Sequence, residues 1–377
     1  MGWPTVDVNQ VNQLQGETNE IERVVLYVGT GTINAGKTLA VNTQSNFDAL
    51  LGAEDSVLKS NVLAAMLNAG SNWSGYVHVL ADDAGENAWA DAVLAAQSLC
   101  SVEGVVLLDD IATKKPINKA AELRAKLLAS FSRWNWFILS VQAPQAEEEW
   151  AEYLVRMVAL QAQISAPSVQ LVPRLFGNEP GVLAGRLCSR AVTVADSPAR
   201  VKTGALVSLG RDEMPVDGKG AALDLATLQA LQAQRFSVPM WYPDYDGYYW
   251  ADGLTLDAEG GDYQAIEYLR IADKAARRVR LQAIAKIADR SLNSTPSSIA
   301  AHQALFAKVL REMSVASQIN GITFPGEVKP PKDDDVTITW QSATKVAIYI
   351  VIRPYECPKG ITVSLLLDTS LTGSNQR

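Results

Sequence analysis

The sequence predicts an α/β protein: a layered α/β body with mixed sheets and extended terminal β-arms that pair with neighbouring subunits. Three observations carry this expectation. From Val24 onward, short apolar runs alternate with amphipathic stretches of helix length. The first 22 residues hold Val6 and Val8 in alternation and then a polar Asn/Gln stretch, too polar to build a core, so they read as an extended arm. After Asp335 the composition turns to β. The chain of 377 residues, 48% hydrophobic, is long enough for two or three folding units by ordinary domain sizes.

In order, the runs at 24–28, 76–80, 105–108 and 136–141 read as strands. Segments 57–68, 84–99, 119–131 and 145–163 read as the helices between them, and such interleaving favours a mostly parallel sheet. Pro and Gly thicken the chain from 167 to 220, marking turns without a sharp boundary. The expected division is an arm at 1–22, an α/β domain at 23–235, a core at 236–329, and strands with a second arm at 330–377. In the helix starting near Asp262, Ala265, Leu269, Ala272, Ala276, Val279, Ala283 and Ile287 share one face, while Glu267, Arg270, Lys274, Arg277 and Arg278 form the other. That charged face reads by itself as a solvated one.

Ser294, Thr295 and Pro296 start a further helix, with Ile299, Phe306, Leu310 and Met313 on its buried side. Val336, Ile338 and Trp340 then alternate with threonines, and Ile361, Val363, Leu365 and Leu367 alternate further on. Between them, 345–353 is apolar on both faces, with Val346, Ile348, Ile350 and Ile352 along it. Such a strand calls for cover on both sides and pairing on both edges, which a neighbouring subunit can supply.

Enzyme signatures are few. Gly31, Gly36, Lys37 and Thr38 match the phosphate-loop pattern GxxxxGK[ST] after a strand, and Asp109 and Asp110 end a second strand where such proteins hold magnesium. This makes a P-loop NTPase the alternative reading. The chemistry needs a helix opening at the Lys-Thr pair, and the nearest helix start is at Ser45, with Asp48 three residues on. His78 and His302, the two histidines, sit in structural-looking segments. Cys100, Cys188 and Cys357 lie far apart and read as buried thiols, with neither disulfide nor zinc spacing. Asp244 and Asp246 lie in a Tyr-rich turn, where hydrogen bonding explains them without acid/base work. The aromatic segment from Trp241 to Trp250 suits a subunit interface, or less readily a small ligand. No catalytic residue, cofactor or metal is expected. A net charge of −8 disfavours general nucleic-acid binding. No apolar run is long enough for a membrane span and no secretion signal opens the chain, so folding in a cytoplasm is expected.

Residues 247–313, from the Tyr248-Tyr249-Trp250 cluster through LRIADKAARRV to the helix after Pro296, resemble the C-terminal core of contractile tail sheath proteins. These are the polymerising shells of myovirus tails and related injection machines. The early segment VVLYVGTGTINAGKTLAVNTQSNFDALLG is similar to their opening, which explains the GKT match as a family turn. The resemblance implies hexameric rings stacked around a tail tube, in a virion tail assembled in the host cytoplasm. It also implies contraction without a fuel site, driving the tube through the host envelope. Expected partners are further copies of the chain, the tail tube protein, and baseplate and tail terminator proteins. It implies strand addition by Val6 and Val8 at one end and by Val346, Ile348, Ile350, Ile352, Val363 and Leu365 at the other. Arg270, Lys274, Arg277 and Arg278 become candidates to face an acidic tube.

Overall fold

The computed structural model describes residues 21–365. Its centre is a six-stranded sheet of β1 (Val25–Thr30), β2 (Thr38–Asn42), β3 (Ser74–Leu80), β4 (Gly104–Ile111), β5 (Trp136–Val141) and β6 (Val169–Pro173), in the order β2-β3-β1-β4-β5-β6. Strands β3, β1, β4, β5 and β6 run parallel, and β2 closes one edge antiparallel to β3. The sheet is therefore mixed, with a parallel majority. β1, β5 and β6 are buried on both faces because helices cover both, which is why β1 and most of β5 appear in sequence as apolar runs, whereas β6 carries the buried Gln170.

The helices are α1 (Phe47–Leu51), α2 (Val57–Ala69), α3 (Ala88–Ala96), α4 (Lys115–Phe131), α5 (Trp150–Gln161), α6 (Glu179–Cys188) and α7 (Leu225–Ala233). Ser56 caps α2 through its side chain, and Glu149 with Glu152 forms a capping box on α5. Helix α6 is buried on every side and lies directly on α2. A Cβ at Gly181 would come 2.1 Å from the Asn61 carbonyl oxygen, and one at Gly185 2.4 Å from that of Ala65, so this contact admits nothing larger than glycine. α6, β2 and β6 were not anticipated from the sequence.

The core crosses position 235. Phe236 bridges to Leu171 of β6, and Phe236, Val238, Trp250, Leu256, Ile266 and Leu269 belong to the same hydrophobic cluster as the large sheet. The aromatic segment forms a hairpin of β7 (Pro239–Tyr242) and β8 (Tyr245–Trp250), with Tyr248 edge-on to Phe176 at 5.1 Å. Then follow α8 (Ile266–Ile284), α9 (Pro296–Met313), the short pair β9 (Ser317–Ile319) and β10 (Ile322–Phe324), and a ribbon of β11 (Val336–Ser342) and β12 (Lys345–Ile350). Phe306 and Ala307 of α9 pack under Val336 and Ile338, with Val346, Ile348 and Ile350 at the margin.

Candidate assembly surfaces and a buried charge array

The loop that matches the phosphate pattern has a different architecture. Lys37 closes a turn, its N–H donating to the Asn34 carbonyl, and Thr38 opens strand β2. The Thr38 hydroxyl meets His78 Nδ1 at 2.8 Å, so this side chain is engaged across the sheet. Lys37 Nζ reaches its own turn at Asn34 Oδ1. A strand where a helix must begin leaves no row of helix N–H groups for phosphate. Asp109 accepts from the Thr30 N–H and hydroxyl, and Asp110 is held by Arg174 and Ser140. These carboxylates stitch strand ends together. His302 Nδ1 lies 2.8 Å from the Ser298 carbonyl within α9. Cys100 and Cys188 are buried as expected, but Cys357 is exposed on the C-terminal segment. No group of His, Cys, Asp and Glu among the described residues has the arrangement of a metal site.

Helix α8 departs most from expectation. Its charged face is buried, with Glu267, Arg270, Asp273 and Lys274 each under 7% exposed. Arg270 makes a two-pronged contact with Glu103 at the start of β4, 2.7 and 2.8 Å. Asp273 receives two hydrogen bonds from Arg124 of α4, 2.7 and 3.0 Å. Lys274 pairs with Glu327 and Arg277 with Glu22. Three of the four tube-facing candidates, Arg270, Lys274 and Arg277, are thus turned inward onto the protein's own carboxylates. Buried charges require partners, and here helix and sheet supply each other's. Arg278 is half-buried and makes no ion pair among the described residues, and Arg280 is exposed. The apolar stripe also ends early: Ile287 lies beyond the helix and is 76% exposed.

Electrostatics follow the pairing. Burial pushes the Glu103 carboxyl up, but the Arg270 guanidinium, with Arg277 and the Arg23 N–H, outweighs it and holds the pKa at about 2. For Asp273, burial wins over the Arg124 guanidinium and the pKa is raised. Burial alone would lower the Lys359 pKa, yet the Glu267 and Asp252 carboxylates on either side of it raise it.

The terminal segments divide differently from the expected arms. Val6 and Val8 lie outside the described residues. Glu22, placed in the N-terminal arm by its sequence, is 6% exposed and belongs to the body. Val346, Ile348 and Ile350 are also seated on the body, covered on one face by α9, while Tyr349 on the other face is 59% exposed. Ile352 packs near Val309 and Met313. β12 pairs with β11 alone among the described residues, so the cover on both faces and the two paired edges that its sequence calls for are absent from the single chain. Residues 351–365 form no strand; Ile361, Val363 and Leu365 are 79%, 74% and 91% exposed, and Leu367 lies outside the described residues.

Comparison with known proteins places this architecture. The model of the DUF2586 N-terminal domain matches residues 3–254, and that of the DUF2586 C-terminal domain matches residues 262–370. The chain belongs to the DUF2586 family. It is 54% identical over 376 residues, 98% of this chain and all of the relative, to a protein of Haemophilus phage HP1 (strain HP1c1) named "Putative tail sheath protein". Its fold is similar to a chain in the cryo-EM structure of the anti-feeding prophage baseplate, with a TM-score of 0.58 at 12% identity over 98% of this chain and 99% of that one. A sheath tail protein from Desulfitobacterium hafniense gives a TM-score of 0.53 at 9% identity, over 92% and 96% of the two chains. At such identities the structural likeness establishes the fold, which is that of tail sheath proteins. The role, like that of this 54% identical relative, is structural rather than enzymatic.

Sequence reading missed the partners of α8, namely Glu22, Glu103, Arg124, Glu327 and Lys359. One signal was available in Glu103, a carboxylate directly preceding the apolar run GVVLL, where burial is expected and an unpaired charge is not tolerated.

Proposed function

We propose that this DUF2586 protein is a contractile tail sheath subunit that polymerises as stacked hexameric rings around a tail tube in a virion tail. Contraction of that lattice drives the tube through the host envelope. The observation that carries the proposal is the β11–β12 ribbon, whose outer edges are unpaired among the described residues, beside a terminal segment whose Ile361, Val363 and Leu365 are exposed. A two-stranded ribbon is marginal alone, and added strands bring it both hydrogen bonds and buried surface. In this reading Val346, Ile348 and Ile350 belong to the accepting ribbon. Val6 and Val8 of one neighbour, and Val363 and Leu365 of another, supply the incoming strands.

Such links hold through rotation of the bodies they join, because main-chain hydrogen bonds do not depend on how the bodies face each other. The other partners are the tail tube protein at the inner wall and the baseplate and tail terminator proteins at the two ends, with assembly in the host cytoplasm. The tube-facing surface centres on Arg278 and the exposed Arg280 rather than on Arg270, Lys274 and Arg277, which pair with the protein's own carboxylates. Reversing both charges should weaken tube binding and flatten its dependence on salt; unchanged binding and salt dependence would remove this surface from the account.

The test of polymerisation is electron microscopy of the chain co-expressed with its tail tube protein. Full-length protein should form striated tubes, and chains lacking residues 1–20 or 360–377 should not. Truncated chains that assemble the same tubes would refute assembly through the arms.

A further inference from the structure

A groove of about 810 Å³ runs between the end of α8, the turns after it and the tip of the β11–β12 ribbon. Ile284 and Ile287 stand in it 47% and 76% exposed, so the chain leaves apolar surface open there. Its charge is one-sided. Arg280, Lys286, Arg290 and Lys345 line it against one carboxylate, Asp289, which is taken by Lys286 at 2.8 Å. Among the described residues none of Arg280, Arg290 and Lys345 makes an ion pair. Helix α5 carries the opposite pattern. Ala151, Val155, Val158 and Ala159 form an exposed stripe at helical spacing, where an outward helix face is ordinarily polar. Two of them are β-branched, a poor choice for an exposed helix position, and Val155 is 70% exposed. At the N-terminal end of this stripe Glu147 and Glu152 are exposed. The other helix face with large exposed apolar residues beside charge is that of α4, where Leu128 and Phe131 stand near Lys126 and Arg133, cations that the groove would repel.

We propose that this groove receives helix α5 of a second copy of the chain, with the Val155–Val158 ridge against Ile284 and Ile287, and Glu147 and Glu152 toward Arg290 and Lys345. Val155 and Ile287 are both exposed in the single chain, so the chain does not fill its own groove with this face. The two surfaces are different parts of one molecule. A contact between them is therefore heterologous: each subunit offers a ridge to one neighbour and a groove to the next, and such contacts build rings or open helical assemblies. The apolar ridge supplies buried area, while the opposed charges fix its direction in the groove. This contact rests on reading the chain as a polymerising subunit, and it adds a junction between rigid bodies to the strand exchange described above.

The experiment is photo-crosslinking in tubes assembled from full-length chains on purified tail tubes. In a Cys357→Ser background, where Cys100 and Cys188 are buried, Ile287→Cys carries a benzophenone maleimide. These chains are mixed with unmodified chains labelled with heavy isotopes before assembly. Mass spectrometry should place the photoproduct on residues 147–159 of heavy chains. Val158→Lys sets a cation against Lys286, Arg290 and Lys345 and should cut that product at least about tenfold. Leu67→Lys, at an exposed apolar position of α2, should leave it unchanged. Arg280 keeps its identity in every variant, so tube binding through it is preserved. A photoproduct on the tail tube protein, on residues 361–377 or on a second copy's groove would overturn the contact, as would tubes that give no product with α5. Absence of tubes altogether is a different result: it removes the polymer reading, and this contact with it.

Discussion

Glu103 and Arg270 form the most deeply buried ion pair of the molecule's described residues, at 0% and 2% side-chain exposure. A pair in this setting contributes through the cost of breaking it: loss of one partner leaves an uncompensated buried charge, typically costing about 3–5 kcal/mol. Glu103→Gln should therefore lower stability by an amount in that range in denaturant titrations. The pH dependence has a definite sign. With the folded pKa at about 2, below the ordinary carboxylate value, the Glu103 contribution is present above the unfolded pKa and is lost as pH falls toward 2. Melting temperature should drop across that acid window in wild type, and the Glu103→Gln protein should lack this component of the drop. Parallel acid profiles for the two proteins would show that the pair does not set the pKa.

At the scale of elements, the β11–β12 ribbon makes the sharpest prediction. The Val351 N–H donates to the Asp335 carbonyl, and Val336 stands opposite Ile350, so the inward hydrogen-bonding positions of β12 are the odd-numbered ones. The N–H of Ile348 then points to the outer edge. Ile348→Pro removes that donor without breaking a β11–β12 bond, whereas Ile348→Ala keeps the donor and loses part of the side-chain packing, roughly 1–2 kcal/mol for a half-buried residue. Assembly by strand addition at this edge requires that the proline variant form no tubes and the alanine variant form them. Equal assembly of both would exclude the edge.

Legibility in the sequence also differs by element. β1, β4 and β5 announce themselves as apolar runs because helices cover both faces, and α9 by its Thr295 cap and Pro296. α6 was hidden because its use of Gly181 and Gly185 answers to the backbone of α2, a long-range contact that periodicity cannot encode. The charged face of α8 looked solvated for the same reason: whether Arg270 meets water or Glu103 is decided by a residue 167 positions away. Segment 361–365 carries a strand pattern that the isolated chain does not satisfy, and alternation states a need without stating which chain meets it.

At the scale of the whole molecule, the body is a large α/β sheet whose parallel strands are covered by helices, with several of its buried ion pairs on α8, while exposed apolar surface lies at the β11–β12 ribbon and along 361–365. That partition suits a subunit that must stay rigid while its connections flex. The measurement that tests this account most directly is a cryo-EM reconstruction of the assembled polymer at side-chain resolution. The account predicts strands from neighbouring subunits on the outer edges of β11 and β12, with Ile361, Val363 and Leu365 buried in a neighbour's sheet. A lattice in which those edges remain open and adjacent subunits meet only through their body surfaces would contradict it.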